Sequence, residues 1–265
     1  MTAYYNDINK HRAAWLGNLS TGGAIAPGVV TTKDVWDIEP QELIGYEQAH
    51  FFAGIGAWSH ALRLAGWADS QRVWTGSCPC QPFSESGKGK GFADERHLWP
   101  AWFYLIEAHR PPVIFGEQVA SPAGIEWLDL VQGDMEACDY TFWAVVLAAG
   151  GAGAPHQRER IFWVAYSDHY LGWPAKPSRN VRNRAHAGWA QGAGDAAPCG
   201  QPVLPQPWAD CEWLYFTDGR RRAVERGAFP LVDGSAANMA AASAYGDAIV
   251  APLAAQFIRT FMELC

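Results

Sequence analysis

No stretch of this chain approaches the roughly 20 consecutive apolar residues that span a bilayer, and the segment from Met1 to Arg12 is polar. Neither a membrane span nor a signal segment is expected. Cysteine is sparse. The six, at 78, 80, 138, 199, 211 and 265, form no CxxC pair and no Cys/His ligand spacing, and Cys78-Pro79-Cys80 is too tight for a zinc knuckle. A disulfide framework and a structural metal are therefore not expected, and a reduced, cytoplasmic compartment is the simplest setting. Positive charge is also short, with 20 Lys and Arg against 27 Asp and Glu, which at first argues against a nucleic-acid partner.

The distribution of charge reverses that impression. Residues 167–240 carry eight basic and seven acidic side chains, whereas the remainder holds twelve against twenty. Lys176, Arg179, Arg182 and Arg184 follow one another with no acid before Asp195, a pattern that fits either a solvated loop or a phosphate-facing surface. At 265 residues the chain can bury one sizeable core and a smaller appended lobe.

The stretch around which the chain is organised is Gly76-Ser77-Cys78-Pro79-Cys80-Gln81-Pro82-Phe83-Ser84, just after the β-prone run Arg72-Val73-Trp74-Thr75. A thiol at the mouth of a strand in an open α/β sheet can become a nucleophile, because the loop there is partly open and the thiolate is the reactive form. A lone cysteine is more often a small buried apolar residue, so the neighbouring motifs decide.

Pro79-Cys80-Gln81-Pro82-Phe83-Ser84 resembles the nucleophile motif of the DNA cytosine-5 methyltransferases, and four further blocks follow in that family's order. Phe51-Phe52-Ala53-Gly54-Ile55-Gly56 resembles its cofactor loop, Gly116-Glu117-Gln118-Val119 its Glu-Asn-Val motif, and His156-Gln157-Arg158-Glu159-Arg160 its Gln-x-Arg-x-Arg motif. Tyr245-Gly246-Asp247-Ala248-Ile249-Val250 resembles its closing Gly-Asn motif. The resemblance implies an α/β fold, a Rossmann-like sheet that binds S-adenosylmethionine, with a small irregular target-recognition lobe. The expected divisions are 1–166 for the catalytic domain, 167–240 for the lobe and 241–265 for a returning helix.

It also implies roles. Cys80 would add to C6 of cytosine, making C5 nucleophilic toward the methyl donor, while Glu117 handles the proton at N3 and Arg158 and Arg160 hold the ring oxygen and the backbone. Phe52, Ala53, Gly54, Ile55, Gly56, Pro79, Leu98, Asp247, Ala248 and Ile249 would meet the cofactor. Gln81, Ser84, Lys88 and Lys90, on a glycine-rich loop, and the basic run Lys176, Arg179, Arg182 and Arg184 would meet double-stranded DNA, whose target base must leave the stack to be reached. A monomer that needs no metal, in the cytoplasm of a prokaryotic or phage-infected cell, is expected. Three residues depart from the family pattern: Gln118 and Asp247 stand where it has Asn, and His156 where it has Gln.

Only about twenty residues separate Gly56 from Pro79, whereas the family normally places two more strands there, carrying an acid for the ribose and another for the adenine. Asp34-Val35-Trp36-Asp37-Ile38, upstream, resembles the family's Gly-Asp-Ile strand, so a rearranged order is expected, with Asp34 or Asp37 at the adenosine end. An acid-rich surface turn is the alternative. The remaining pattern predicts helices at 11–16, 40–48, 58–64, 98–109, 122–138 and 248–263, and strands at 50–53, 111–115, 140–147 and 161–166. Three other functions stay open: RNA cytosine methylation on the same scaffold, a DNA-binding module with weakened catalysis, and thiol redox chemistry at Cys78 and Cys80.

Overall fold

The computed structural model describes residues 2–79, 98–152, 158–167, 211–215, 221–225 and 248–264. Its centre is a seven-stranded sheet with the spatial order β2-β1-β3-β4-β5-β7-β6. The strands are β1 (Ala3–Asn6), β2 (Gly28–Thr31), β3 (Gln48–Phe51), β4 (Val73–Gly76), β5 (Val113–Val119), β6 (Tyr140–Ala148) and β7 (Glu159–Ser167). β2, β1, β3, β4 and β5 are parallel, and β7 enters antiparallel between β5 and β6. The helices are α1 (Lys10–Thr21), α2 (Ala57–Ala65), α3 (Trp99–His109), α4 (Pro122–Ala137) and α5 (Ala251–Leu264). Within the expected lobe, Cys211–Tyr215 and Arg221–Glu225 pair as an antiparallel ribbon.

Alternation along each strand sends neighbouring residues to opposite faces. Tyr4, Phe51, Trp74 and Ile114 face a cluster with Val35, Leu43, Trp102, Trp127 and Val131, contributed by the segment after β2 and by α3 and α4. Val73, Val113 and Phe115 face the other way, onto Trp58 and Leu62 of α2 and Leu253, Ile258 and Phe261 of α5. Tyr5 joins Leu16 of α1 on that same side. Both faces are covered, so the central strands can be apolar throughout.

Two glycines let tryptophans lie against the sheet. Gly76 and Gly116 are register partners on β4 and β5. A Cβ on Gly76 would sit 2.5 Å from the Trp102 ring, and one on Gly116 2.1 Å from the Trp163 ring. One polar network is buried on the opposite face: His50 Nδ1 lies 2.8 Å from Thr75 Oγ1 and Nε2 3.3 Å from Gln48 Oε1, while the ring stacks on Tyr5.

The N-terminal fifty residues differ most from expectation. They contribute two unforeseen strands, β1 and β2, which lie beyond β3 at one end of the sheet. The stretch at 34–38 is not a strand. The Asp34 side chain accepts from Trp36 N at 3.1 Å and starts a 3-10 turn over Val35–Asp37, the local capping that draws Asp out of extended structure. The helix expected at 40–48 shortens to a 3-10 turn at Pro40–Leu43, because Gly45 takes a left-handed φ of 87° and Gln48 is already in β3. Elsewhere the expected elements are present with shifted ends; β5 runs on through Glu117 to Val119, and the last helix begins at Ala251 rather than 248.

Candidate active site

After β3 the chain turns to α2 on one face, and after β4 it reaches α3 on the other. A crevice opens between two such strand ends, and this is where open α/β sheets take ligands. A cavity of about 610 Å³ lies there, reached from four strand ends. Asn6 to Asn9 line it from β1, Phe52 to Ile55 from β3, Ser77 to Pro79 from β4, and Glu117 to Val119 from β5.

The β3 turn is held in an unusual backbone. Phe52, Gly54 and Gly56 all have positive φ, at 50°, 56° and 77°; with glycine at two of the three positions the strain is small, and Gly56 then caps α2. The Asp7 carboxylate fixes the turn from the neighbouring strand. Its Oδ2 accepts from Gly54 N at 2.8 Å and its Oδ1 from Asn9 N at 2.9 Å, while the Asn9 side chain caps α1. One buried acid thus joins the β1 end to the β3 turn. Asp34 lines the same cavity, and Asp37 does not: it is exposed on its 3-10 turn.

At the other end stands Glu117, 7% exposed. Arg160 Nε approaches its Oε1 to 2.9 Å. Burial raises the Glu117 pKa above the usual carboxylate range, outweighing the pull of Arg160 and Arg158 and a hydrogen bond from Ser77. A group in this state keeps a proton that an exposed carboxyl would release. Arg158 and Arg160 both line the cavity, but not as two same-facing residues of a strand. Arg158 precedes β7 with a φ of 29°, and its Nη2 donates to Ala248 O at 3.0 Å, which joins the segment before β7 to the segment before α5. Gln118 is buried; its Nε2 donates to Cys78 O at 3.3 Å and its Oε1 accepts from Val119 N. That amide ties β4 to β5 two residues before Cys80.

Of the residues expected at the site, Asp34, Phe52, Ala53, Gly54, Ile55, Pro79, Leu98, Glu117, Arg158, Arg160, Ala248 and Ile249 line this one cavity. Gly56 is the cap of α2 and stands just outside the lining. Cys80, Gln81, Ser84, Lys88, Lys90, Asp247, Lys176, Arg179, Arg182 and Arg184 lie outside the described residues. Asp7, Trp58 and Ser77, which also line the cavity, are not among those expected. Asp7 has a signal that could have found it: Tyr4-Tyr5-Asn6-Asp7-Ile8-Asn9 reads as a short strand, an acid and a helix cap. Among the described residues, no group of three or more His, Cys, Asp or Glu is placed to hold a metal, and no helix is long and apolar enough to cross a membrane.

Residues 67–186 match the model of the C-5 cytosine-specific DNA methylase family. Over those residues the chain is similar to the DNA cytosine-5 methyltransferases. Type II methyltransferase M.HhaI of Haemophilus parahaemolyticus is 40% identical over 92 residues, which are 33% of this chain and 28% of that protein. Type II methyltransferase M.NlaX of Neisseria lactamica is 35% identical over 98 residues, 34% of this chain and 30% of that protein. The match thus spans less than a third of either relative. Among solved structures, the Entamoeba histolytica methyltransferase EhMeth superposes on 65% of this chain and 46% of its own, with a TM-score of 0.44 and 16% identity. The family match begins at residue 67, after β1, β2 and the β3 turn, so the half of the cavity that those segments line lies outside it.

Proposed function

We propose that this protein transfers a methyl group from S-adenosylmethionine to C5 of a flipped-out cytosine in double-stranded DNA. The observation that carries the reading is the convergence of the glycine turn, the Cys78-Pro79 segment, Glu117, Arg158 and Arg160 on one cavity. The donor set fits such a cofactor. A left-handed glycine turn allows close backbone approach, and Asp7 and Asp34 offer acceptors toward ribose and adenine hydroxyl and amino groups. When bound, S-adenosylmethionine supplies an electrophilic methyl group.

The chain's own residues do the rest. Cys80, two residues beyond the carbonyl held by Gln118, supplies the thiolate that adds to C6. Glu117, with its raised pKa, delivers or shares a proton at N3, so that charge does not accumulate on the ring. Arg160 fixes the Glu117 carboxyl and presents its remaining donors to the base, and Arg158 holds the rim closed against Ala248. Lys176, Arg179, Arg182 and Arg184, with Lys88 and Lys90, supply phosphate contacts.

Incubation with labelled S-adenosylmethionine and either duplex DNA or RNA, followed by nucleoside analysis, tests the reading. The expected product is 5-methylcytosine in DNA. Fluorinated cytosine in the target should trap a covalent adduct with the wild type and none with Cys80→Ala. Full activity in Cys80→Ala, or methylation of RNA alone, overturns it.

A further inference from the structure

Ser77 is the residue between β4 and the Cys78-Pro79 segment, one step beyond the register pair Gly76 and Gly116, which brings it beside Glu117. Both line the cavity. The Trp58 indole Nε1 donates to Ser77 Oγ at 3.0 Å. That indole has no freedom to leave: Trp58 is 4% exposed, stacked on Phe115 and set edge-on to Phe162. A hydroxyl carries one hydrogen, and with a lone pair already engaged by Trp58 that hydrogen is directed elsewhere. The acceptor beside it is the Glu117 carboxyl, one register step beyond Gly116 and lining the same cavity. We infer that Ser77 is a positioning residue for Glu117, oriented by Trp58, so that helix α2 at the cofactor turn and the acid at the base end are joined through one hydroxyl.

The consequence is chemical, and it rests on the function proposed above. Glu117 lies under two opposed influences. Burial favours the acid; Ser77, with Arg160 and Arg158 from the β7 side, favours the carboxylate. Asp7, Arg12, Lys33 and Asp34 share the cavity from the β1 and β2 ends. A buried carboxyl with no donor would keep its proton too firmly to exchange it with N3, and one with every donor engaged would lose it too readily. Ser77 is the neutral, adjustable donor in that set.

The test reads Glu117 directly. Glu117 is titrated by carbon NMR in the cofactor-free, full-length protein with labelled glutamate, assigned by loss of the signal in Glu117→Gln. Ser77→Ala removes a hydrogen bond to an ionised acceptor and should raise the midpoint by about one pH unit, a ten-fold change in the ionisation constant. Ser77→Thr should restore it, and Trp58→Phe, which keeps the ring packing but not the donor, should move it part of the way. In turnover, Ser77→Ala should lower kcat and shift its alkaline limb upward while leaving KM for DNA and cofactor unchanged. A Glu117 titration in Ser77→Ala that superimposes on wild type overturns the inference. Failure of the proposed function is a separate result: the midpoint would move as expected while neither wild type nor variant methylates cytosine.

Discussion

His50 offers a quantitative test of the buried half of the sheet. Its ring is 1% exposed, hydrogen-bonded to Thr75 and Gln48, and stacked on Tyr5. Burial lowers its pKa from 6.5 to about 3, against a small opposing pull from Asp69. The folded-state value therefore lies below the unfolded one, and at any pH under 6.5 the unfolded chain binds a proton that the folded chain refuses. Stability from this group is complete above pH 6.5 and is lost as pH falls toward 3, by about 1.4 kcal/mol per unit. Between neutrality and pH 5 the loss is about 2 kcal/mol, and it depends little on where the folded value lies, provided it is well under 5. Glu117 works in the opposite sense. Its folded pKa is raised, so above the unfolded value the folded chain keeps a proton that the unfolded chain releases, and its contribution declines as pH rises. Comparing wild type with His50→Gln cancels Glu117 and the other histidines. In urea unfolding at pH 7.5, 6.5, 5.5 and 5, the stability gap between the two proteins should shrink by about 2 kcal/mol across the series. Parallel curves would show that the His50 ring accepts a proton in the fold, and would refute this account of its burial.

Two further predictions concern the sheet and the cofactor end of the cavity. Gly116→Ala places a Cβ 2.1 Å from the Trp163 ring, which Phe142 and Trp102 box in from behind; a loss of about 1 to 3 kcal/mol or more in urea unfolding is expected, and a change within about 0.5 kcal/mol would mean that the ring moves freely. In calorimetry with S-adenosylmethionine, Asp34→Ala should weaken binding about ten-fold, the worth of one hydrogen bond to a charged acceptor, and Asp7→Ala by at least as much because the Gly54 turn loses its anchor too, whereas Asp37→Ala should bind like wild type; weakening in Asp37→Ala alone would place the adenosine elsewhere.

The base end of the cavity is readable in the sequence because its chemistry travels with short contiguous motifs. Glu117 follows an apolar strand, Pro79 and Cys80 follow another, and the glycines at 54 and 56 follow a third, so each motif marks the carboxyl end of a parallel strand. The adenosine end is legible only in outline. The shortage of residues between Gly56 and Pro79 indicates that strands lie elsewhere, but Ala3–Asn6 and Gly28–Thr31 are four residues each, too short for a period of two to stand out. Asp34 stands out in the sequence as part of a strand and reaches the cavity instead as a cap. Ser77 and Trp58 are silent because their link spans nineteen positions and two elements. Arg158 reads as a strand residue because alternate spacing is the sequence's only cue there, and a left-handed φ on an arginine leaves no mark in sequence.

The N-terminal strands β1 and β2 lie beyond β3 in the sheet, and the crossovers that join the parallel strands differ in hand. β1-α1-β2 moves toward the β2 edge with its helix on the Tyr5 face, and β4-α3-β5 moves toward the opposite edge with its helix on the Tyr4 face. Opposite directions on opposite faces are the same hand. The return from β2 to β3 passes over the Tyr4 face, through Val35, Ile38 and Leu43, and shares that hand as well. β3-α2-β4 moves toward β5 with α2 on the Tyr5 face, which is the other hand, although parallel crossovers keep one hand in about 98% of cases. The preference reflects how twist feeds a connection back onto its sheet, whereas the position of α2 is fixed by the apolar surface it buries. Trp58 and Leu62 are buried against Leu253 and Ile258 of α5, at about 1.5 to 3 kcal/mol for each large apolar side chain, and Arg259 donates to the Leu64 carbonyl at the far end of α2. Moving α2 to the other face would strip that packing and turn the Gly54 to Gly56 turn away from Asp7. The packing of α2 on α5 and the contact of its turn with Asp7 are therefore kept, and the connection through α2 takes the hand opposite to that of the other crossovers. Residue neighbours across the sheet, rather than sequence order, are what this site requires.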